Sequence, residues 1–172
     1  YMSQRTFDMF NRAQSAGIET VIVTGRSIMY LRDMRLPGFH YAVCCNGAVV
    51  MDLFSGATVY RDGFTVEEAE TAWDIFLKYG DAFIEVALEN EVVVSQKNYD
   101  RFEEMDLQDY IKRFYRKKLV HIVPDLDAYV RQNLHRVEKM NILRSGPEIT
   151  AAAKAELAAA GIFNINAAYD IM

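Results

Sequence analysis

Two short segments of this chain place a small polar side chain beside glycine directly after an apolar run: Thr24-Gly25-Arg26 and Asn46-Gly47-Ala48. That combination suits an oxyanion. Glycine lets backbone amides approach a ligand closely. The Thr24 hydroxyl can donate a hydrogen bond to a phosphoryl oxygen, and Arg26 can add a charge-assisted one. The runs before them, Ile18 to Val23 and Tyr41 to Cys45, read as strands, the first of a type buried on both faces. In an open parallel sheet, ligands collect beyond the carboxyl ends of the strands. A helix starting after Thr24 points its free amides at the same edge and favours an anion such as phosphate. By itself, Thr24-Gly25-Arg26 is also what an ordinary strand-to-helix turn with a capping residue looks like.

The elements that must hold these segments follow from periodicity. Phe7, Phe10 and Ala13 recur at helical spacing between a capping Ser3 and a terminating Gly17. A second helical stretch runs from Ser27 to about Arg35, ended by Pro37-Gly38. The first part is therefore helix, strand, helix, strand: a right-handed parallel α/β unit. Val49 to Tyr60 reads as a β-hairpin around Ser55-Gly56. The pattern then restarts, and the boundary between regions falls near Gly63, giving 1–63 and 64–172 as the two parts.

In the second part, Thr65-Val66-Glu67-Glu68 is a capping box ahead of an apolar stripe of Val66, Ala69, Ala72, Trp73 and Phe76. A hairpin of Phe83 to Leu88 and Val92 to Ser95 follows, joined by Glu89-Asn90-Glu91. Helix is expected over 99–117 with a break near Met105-Asp106, then a short strand over 119–123. A helix over 125–136 capped by Asp125, a strand over 137–143, an Ala-rich helix over 146–160 and a last strand over 162–169 complete the chain. This is an α+β sheet with helices on one side.

Composition narrows the function. The 172 residues are 51% hydrophobic and 25% charged, as in a globular protein. No apolar run approaches the roughly 20 residues of a membrane-spanning helix. The net charge of −5 repels a polyanion, so nucleic acid is not the expected partner. Cys44 and Cys45 are neighbours and cannot staple distant segments, which makes a reducing cytoplasm the default. The chain opens at Tyr1 without Met and closes on Asp170-Ile171-Met172 with no turn, cap or polar tail, so both ends read as cut.

Other candidates carry plainer readings. The basic run Lys112 to Lys118 includes Phe114 and Tyr115. It reads as a helix with aromatics on the core and solvated cations, or as an anion or nucleic-acid patch. His40, His121 and His135 lack metal-ligand spacing. Cys44 and Cys45 read as inert core thiols, and Trp73 as core. Glu85, Glu89 and Glu91 flank a hairpin, where exposed charges are routine.

The run Ala16 to Arg26, followed by Tyr41 to Ala48, resembles the haloacid dehalogenase-like superfamily, and more closely the Cof-type phosphatases of its type IIB subgroup. In that family a Rossmann-like core carries an α/β cap inserted after the Asn-Gly-Ala strand. The resemblance implies a partial parallel core over 1–63 with its hairpin linker, and a substrate-selecting cap over 64–172. It further implies a magnesium-dependent (Mg2+) phosphomonoester hydrolase acting through an aspartyl-phosphate on a small phosphorylated metabolite, either a sugar phosphate or a nucleotide. Thr24 matches the hydroxyl that binds the transferring phosphoryl group. Gly25 and Arg26 match its flanks, and Asn46 and Gly47 match the loop bordering the site entrance. The departure from the pattern is large. The family's Asp-x-Asp strand belongs upstream of Ser3, and its lysine and acidic metal-binding motifs belong after Met172. No metal ligand is therefore assigned within this chain, and the chain alone is expected to be inactive. The alternatives are a non-catalytic module that holds a phosphorylated ligand and a Rossmann-type phosphosugar-binding domain of another kind. Nothing in the residues fixes an oligomeric state.

Overall fold

The computed structural model describes residues 3–32, 38–143 and 146–163. It separates into two compact units, Tyr1–Asp62 and Gly63–Met172.

The first unit opens with helix α1 (Gln4–Ser15), whose N-cap Ser3 accepts the Thr6 amide. Gly17 follows at φ 77, a left-handed conformation that glycine adopts without a Cβ clash. Next come β1 (Val21–Val23), α2 (Ile28–Leu31), β2 (Tyr41–Cys44), β3 (Val49–Asp52) and β4 (Thr58–Arg61). They form a four-stranded sheet in the order β1-β2-β3-β4. The β1–β2 pair is parallel, and the other two pairs are antiparallel. Alternation along β2 and β3 sends Ala42, Cys44, Val49 and Met51 into one core with Ile28 and Leu31 of α2. The Gly38 carbonyl accepts from both Gln14 Nε2 and Thr20 Oγ1, tying the end of α1 to the approach of β1.

Two expectations change here. The strand ending at Val23 is shorter than its β-branched run and is not buried on both faces: Val21 is 45% and Val23 76% exposed. Val21 and Val23 share one face, opposite the one on which Ile22 packs against the α2 core, and among the described residues β1 pairs with β2 alone. The helix after Thr24 covers only Ile28–Leu31, with Ser27 as its cap; 33–37 lie outside the described residues.

The second unit begins with α3 (Val66–Leu77), where the capping box is present in full. The Thr65 amide donates to Glu68 Oε2 at 2.8 Å, and the Glu68 amide donates to Thr65 Oγ1 at 3.2 Å. Strands β5 (Phe83–Leu88) and β6 (Glu91–Ser95) form a hairpin closed at Glu89-Asn90, with Asn90 at φ 62. Then follow α4 (Gln96–Arg101), α5 (Asp109–Arg116), β7 (His121–Val123), α6 (Leu126–Gln132), β8 (Val137–Leu143) and α7 (Pro147–Ala159). The sheet order is β7-β6-β5-β8, with β6–β7 parallel and the other pairs antiparallel. The last strand expected over 162–169 falls mostly outside the described residues.

This sheet is covered on both faces, not on one. Ile84, Val86 and Leu88 of β5 pack with Trp73 and Phe76 of α3, Val130 of α6 and Leu157 of α7. The alternate β5 residues meet α5: the rings of Phe83 and Tyr115 lie 5.7 Å apart. All six β5 residues are buried, as a central strand between two helical layers requires. Glu85 is therefore a correction to the sequence reading. It is a core carboxylate only 2% exposed, not a solvated hairpin charge. Trp73 is core, with its indole N–H donating to Asp127 Oδ1 at 2.8 Å.

Candidate functional site

The parallel register brings the two glycine-flanked segments to one sheet edge. Val21, Ile22 and Val23 lie opposite Tyr41, Ala42 and Val43. The ladder continues past both strands: the Thr24 amide donates to the Val43 carbonyl at 2.9 Å, and the Cys45 amide donates to the Arg26 carbonyl at 2.9 Å. Thr24, Gly25 and Arg26 therefore run alongside Cys44, Cys45 and Asn46, about one strand spacing, ~4.8 Å, away. Both segments lie at the carboxyl ends of their strands, where an open parallel sheet collects ligands.

Thr24, Gly25 and Arg26 are half-buried, as is Gly47, while Asn46 is exposed. Thr24 Oγ1 accepts the Arg26 amide at 3.2 Å. A hydroxyl that accepts in this way still has its own hydrogen to donate, so Thr24 can meet an incoming oxygen. The expected row of free helix amides is reduced. Arg26 N–H is taken by Thr24, and Met29 N–H is taken by Ser27 Oγ at 3.3 Å. At four residues, α2 is also too short for its dipole to count for much.

The second segment holds an unusual backbone. Cys45, Asn46 and Gly47 take φ values of 50, 59 and 107 in succession. Glycine accepts this freely and asparagine tolerates it, whereas cysteine is strained by about 1–2 kcal/mol from its Cβ. The Cys45 amide bond to Arg26 and the Ala48 amide bond back to the Cys45 carbonyl hold the turn in place. Such strain persists only where surrounding structure fixes it. The Asn-Gly pair signals a turn in the sequence; nothing in the sequence marks Cys45 as the first left-handed residue. Cys44 and Cys45 are both free thiols and buried.

The remaining candidates lie elsewhere. His40 pairs with Glu19 and stacks on Tyr41. Within the second unit, Glu91 is a hub. It accepts from Arg136 at 2.8 Å, pairs with His121 at 2.7 Å and takes the Tyr129 hydroxyl at 3.1 Å. In the basic run, Phe114 and Tyr115 are buried and Arg116 forms a two-pronged pair with Glu103, matching the core-facing reading of that helix. Among the described residues, no three His, Cys, Asp or Glu side chains gather as a metal site. None of the described helices is long and apolar enough to cross a membrane.

A family model described as haloacid dehalogenase-like hydrolase matches residues 1–166. No curated protein matches the chain. Among solved structures, a haloacid dehalogenase-like hydrolase from Bacteroides thetaiotaomicron superposes with a TM-score of 0.68 at 18% identity, over 99% of this chain and 62% of that one. A haloacid dehalogenase-like hydrolase from B. subtilis gives 0.62 at 17% identity, over 91% of this chain and 60% of that one. A sugar phosphatase of subclass IIB in the same superfamily gives 0.59 at 15% identity, over 91% and 56%. At such identities the likeness is one of fold. The chain spans less than two thirds of the length of each of these structures.

Proposed function

Because the chain belongs to the haloacid dehalogenase-like hydrolase family, we propose that it is part of a phosphatase acting on small phosphorylated metabolites, sugar phosphates or nucleotides. The observation that carries this reading is the side-by-side placement of Thr24-Gly25-Arg26 and Asn46-Gly47 at the carboxyl edge of a parallel strand pair. The shared fold with a subclass IIB sugar phosphatase supports it.

In this reading Thr24 donates its hydroxyl hydrogen to an oxygen of the transferring phosphoryl group. Gly25 and Arg26 flank that contact, and Asn46 and Gly47 border the entrance. A donor aimed at a phosphoryl oxygen helps most when charge builds there in the transition state. Reaction proceeds through an aspartyl-phosphate. A carboxylate oxygen attacks phosphorus as the ester oxygen leaves with a proton from a second carboxyl group. Water then cleaves the acyl phosphate, releasing inorganic phosphate and restoring the carboxylate. Both carboxyl groups come from polypeptide outside these 172 residues, and the chain alone does not turn over substrate. In this reading the residues that would hold Mg2+ belong to the family's acidic motifs outside this chain, as the resemblance implies, and no residue here is assigned to it.

Residues 64–172 act as the cap whose side chains select the leaving group. The protein works in the cytoplasm, where the free thiols of Cys44 and Cys45 stay reduced.

The test is phosphate release by the intact protein from a panel of sugar phosphates and nucleotides, with and without Mg2+. Magnesium-dependent release from members of the panel is expected. Binding of phosphate esters without release assigns the chain to a non-catalytic phospho-ligand module instead. Neither binding nor release sinks both readings.

A further inference from the structure

We draw no further inference here: the strongest candidate, the exposed apolar patch of Ile18, Val21 and Val23 along the outer strand β1 of the first unit, carries nothing because nothing in the structure shows what covers it.

Discussion

Tyr115 donates its phenolic hydrogen to Glu85 Oε2 at 2.8 Å, and both side chains lie in the core of the second unit. Asn141 Nδ2 donates to the other carboxylate oxygen at 3.1 Å. These bonds tie β5 to α5 and to β8 through one buried acid. A buried polar group left without its partner costs about 1–3 kcal/mol, more when charged. Tyr115→Phe keeps the ring and removes the donor, so the second unit is expected to lose ~1–3 kcal/mol. Urea unfolding followed by tryptophan fluorescence reads this, since Trp73 is the chain's only tryptophan. An unchanged midpoint would show that the bond contributes nothing. Burial first, and then the Glu85 charge, push the Tyr115 phenol well above its usual range. A raised folded value means full stability below the unfolded phenol range and loss as pH rises toward the folded one. Tyr115 is thus expected to stay un-ionised at alkaline pH until the unit unfolds, as followed by phenolate absorbance.

Gly63 makes a different kind of demand. Its backbone does not lie in the left-handed region, yet a Cβ there would sit 2.9 Å from the Val137 carbonyl oxygen. The neighbour is backbone, which cannot swing aside. Gly63→Ala is therefore expected to cost about 1–3 kcal/mol, the usual penalty for forcing atoms into packed space. At Gly80 the nearest atom is 3.3 Å away, and alanine is expected to be milder there. Thermal melts of the two variants side by side check the order; equal midpoints would mean that the approach at Gly63 relaxes freely.

The capping box predicts behaviour in acid. Glu68 accepts from the Thr65 amide and hydroxyl, and these bonds hold its carboxyl below the usual range. Bonds from Arg116 do the same for Glu103, and bonds from Lys78 and Tyr79 for Glu156. A lowered folded value gives stability that is present above the unfolded carboxyl range and lost as pH falls through the folded one. The protein is expected to lose stability progressively below about pH 4.5, the ordinary glutamate range. Glu68→Gln keeps an acceptor for the helix start but cannot titrate. Its melting temperature should fall less steeply with acid than that of the parent, and identical slopes would remove Glu68 from the account.

Much of this architecture was legible from residue order. Ser3, Thr65 and Asp125 announced their helices because side-chain capping is a local interaction between near neighbours. The hairpins at Ser55-Gly56 and Asn90 were readable for the same reason. What failed was non-local. The β-branched run before Thr24 looks like a strand buried on both faces, but burial depends on what packs over each face, which local sequence does not reveal: α2 meets the Ile22 face, while Val21 and Val23 stay exposed on the other. Glu85 looked like a hairpin charge because its partners, Tyr115 and Asn141, lie 30 and 56 residues away. At the candidate site, glycine and threonine marked the strand ends. The left-handed turn at Cys45 comes from the hydrogen bond to Arg26 on the neighbouring segment, which no periodicity encodes.

Thr24 offers the sharpest test of the chemistry, because its hydroxyl serves two purposes. As an acceptor it takes the Arg26 amide at 3.2 Å and shapes the turn. As a donor it has a hydrogen left for substrate. Thr24→Val keeps the branched shape and removes both, whereas Thr24→Ser keeps the hydroxyl and sheds only a methyl group. In the intact protein, valine is expected to lower kcat for phosphate release by about 10²–10³-fold, the usual loss for one transition-state donor. Serine should restore most of it. If valine unfolds the site, circular dichroism and the thermal midpoint will show it, and the serine variant still reads the hydroxyl's contribution. A folded valine variant with parental kcat would remove Thr24 from the phosphoryl site, leaving the Thr24-Gly25-Arg26 segment as an ordinary strand-to-helix turn.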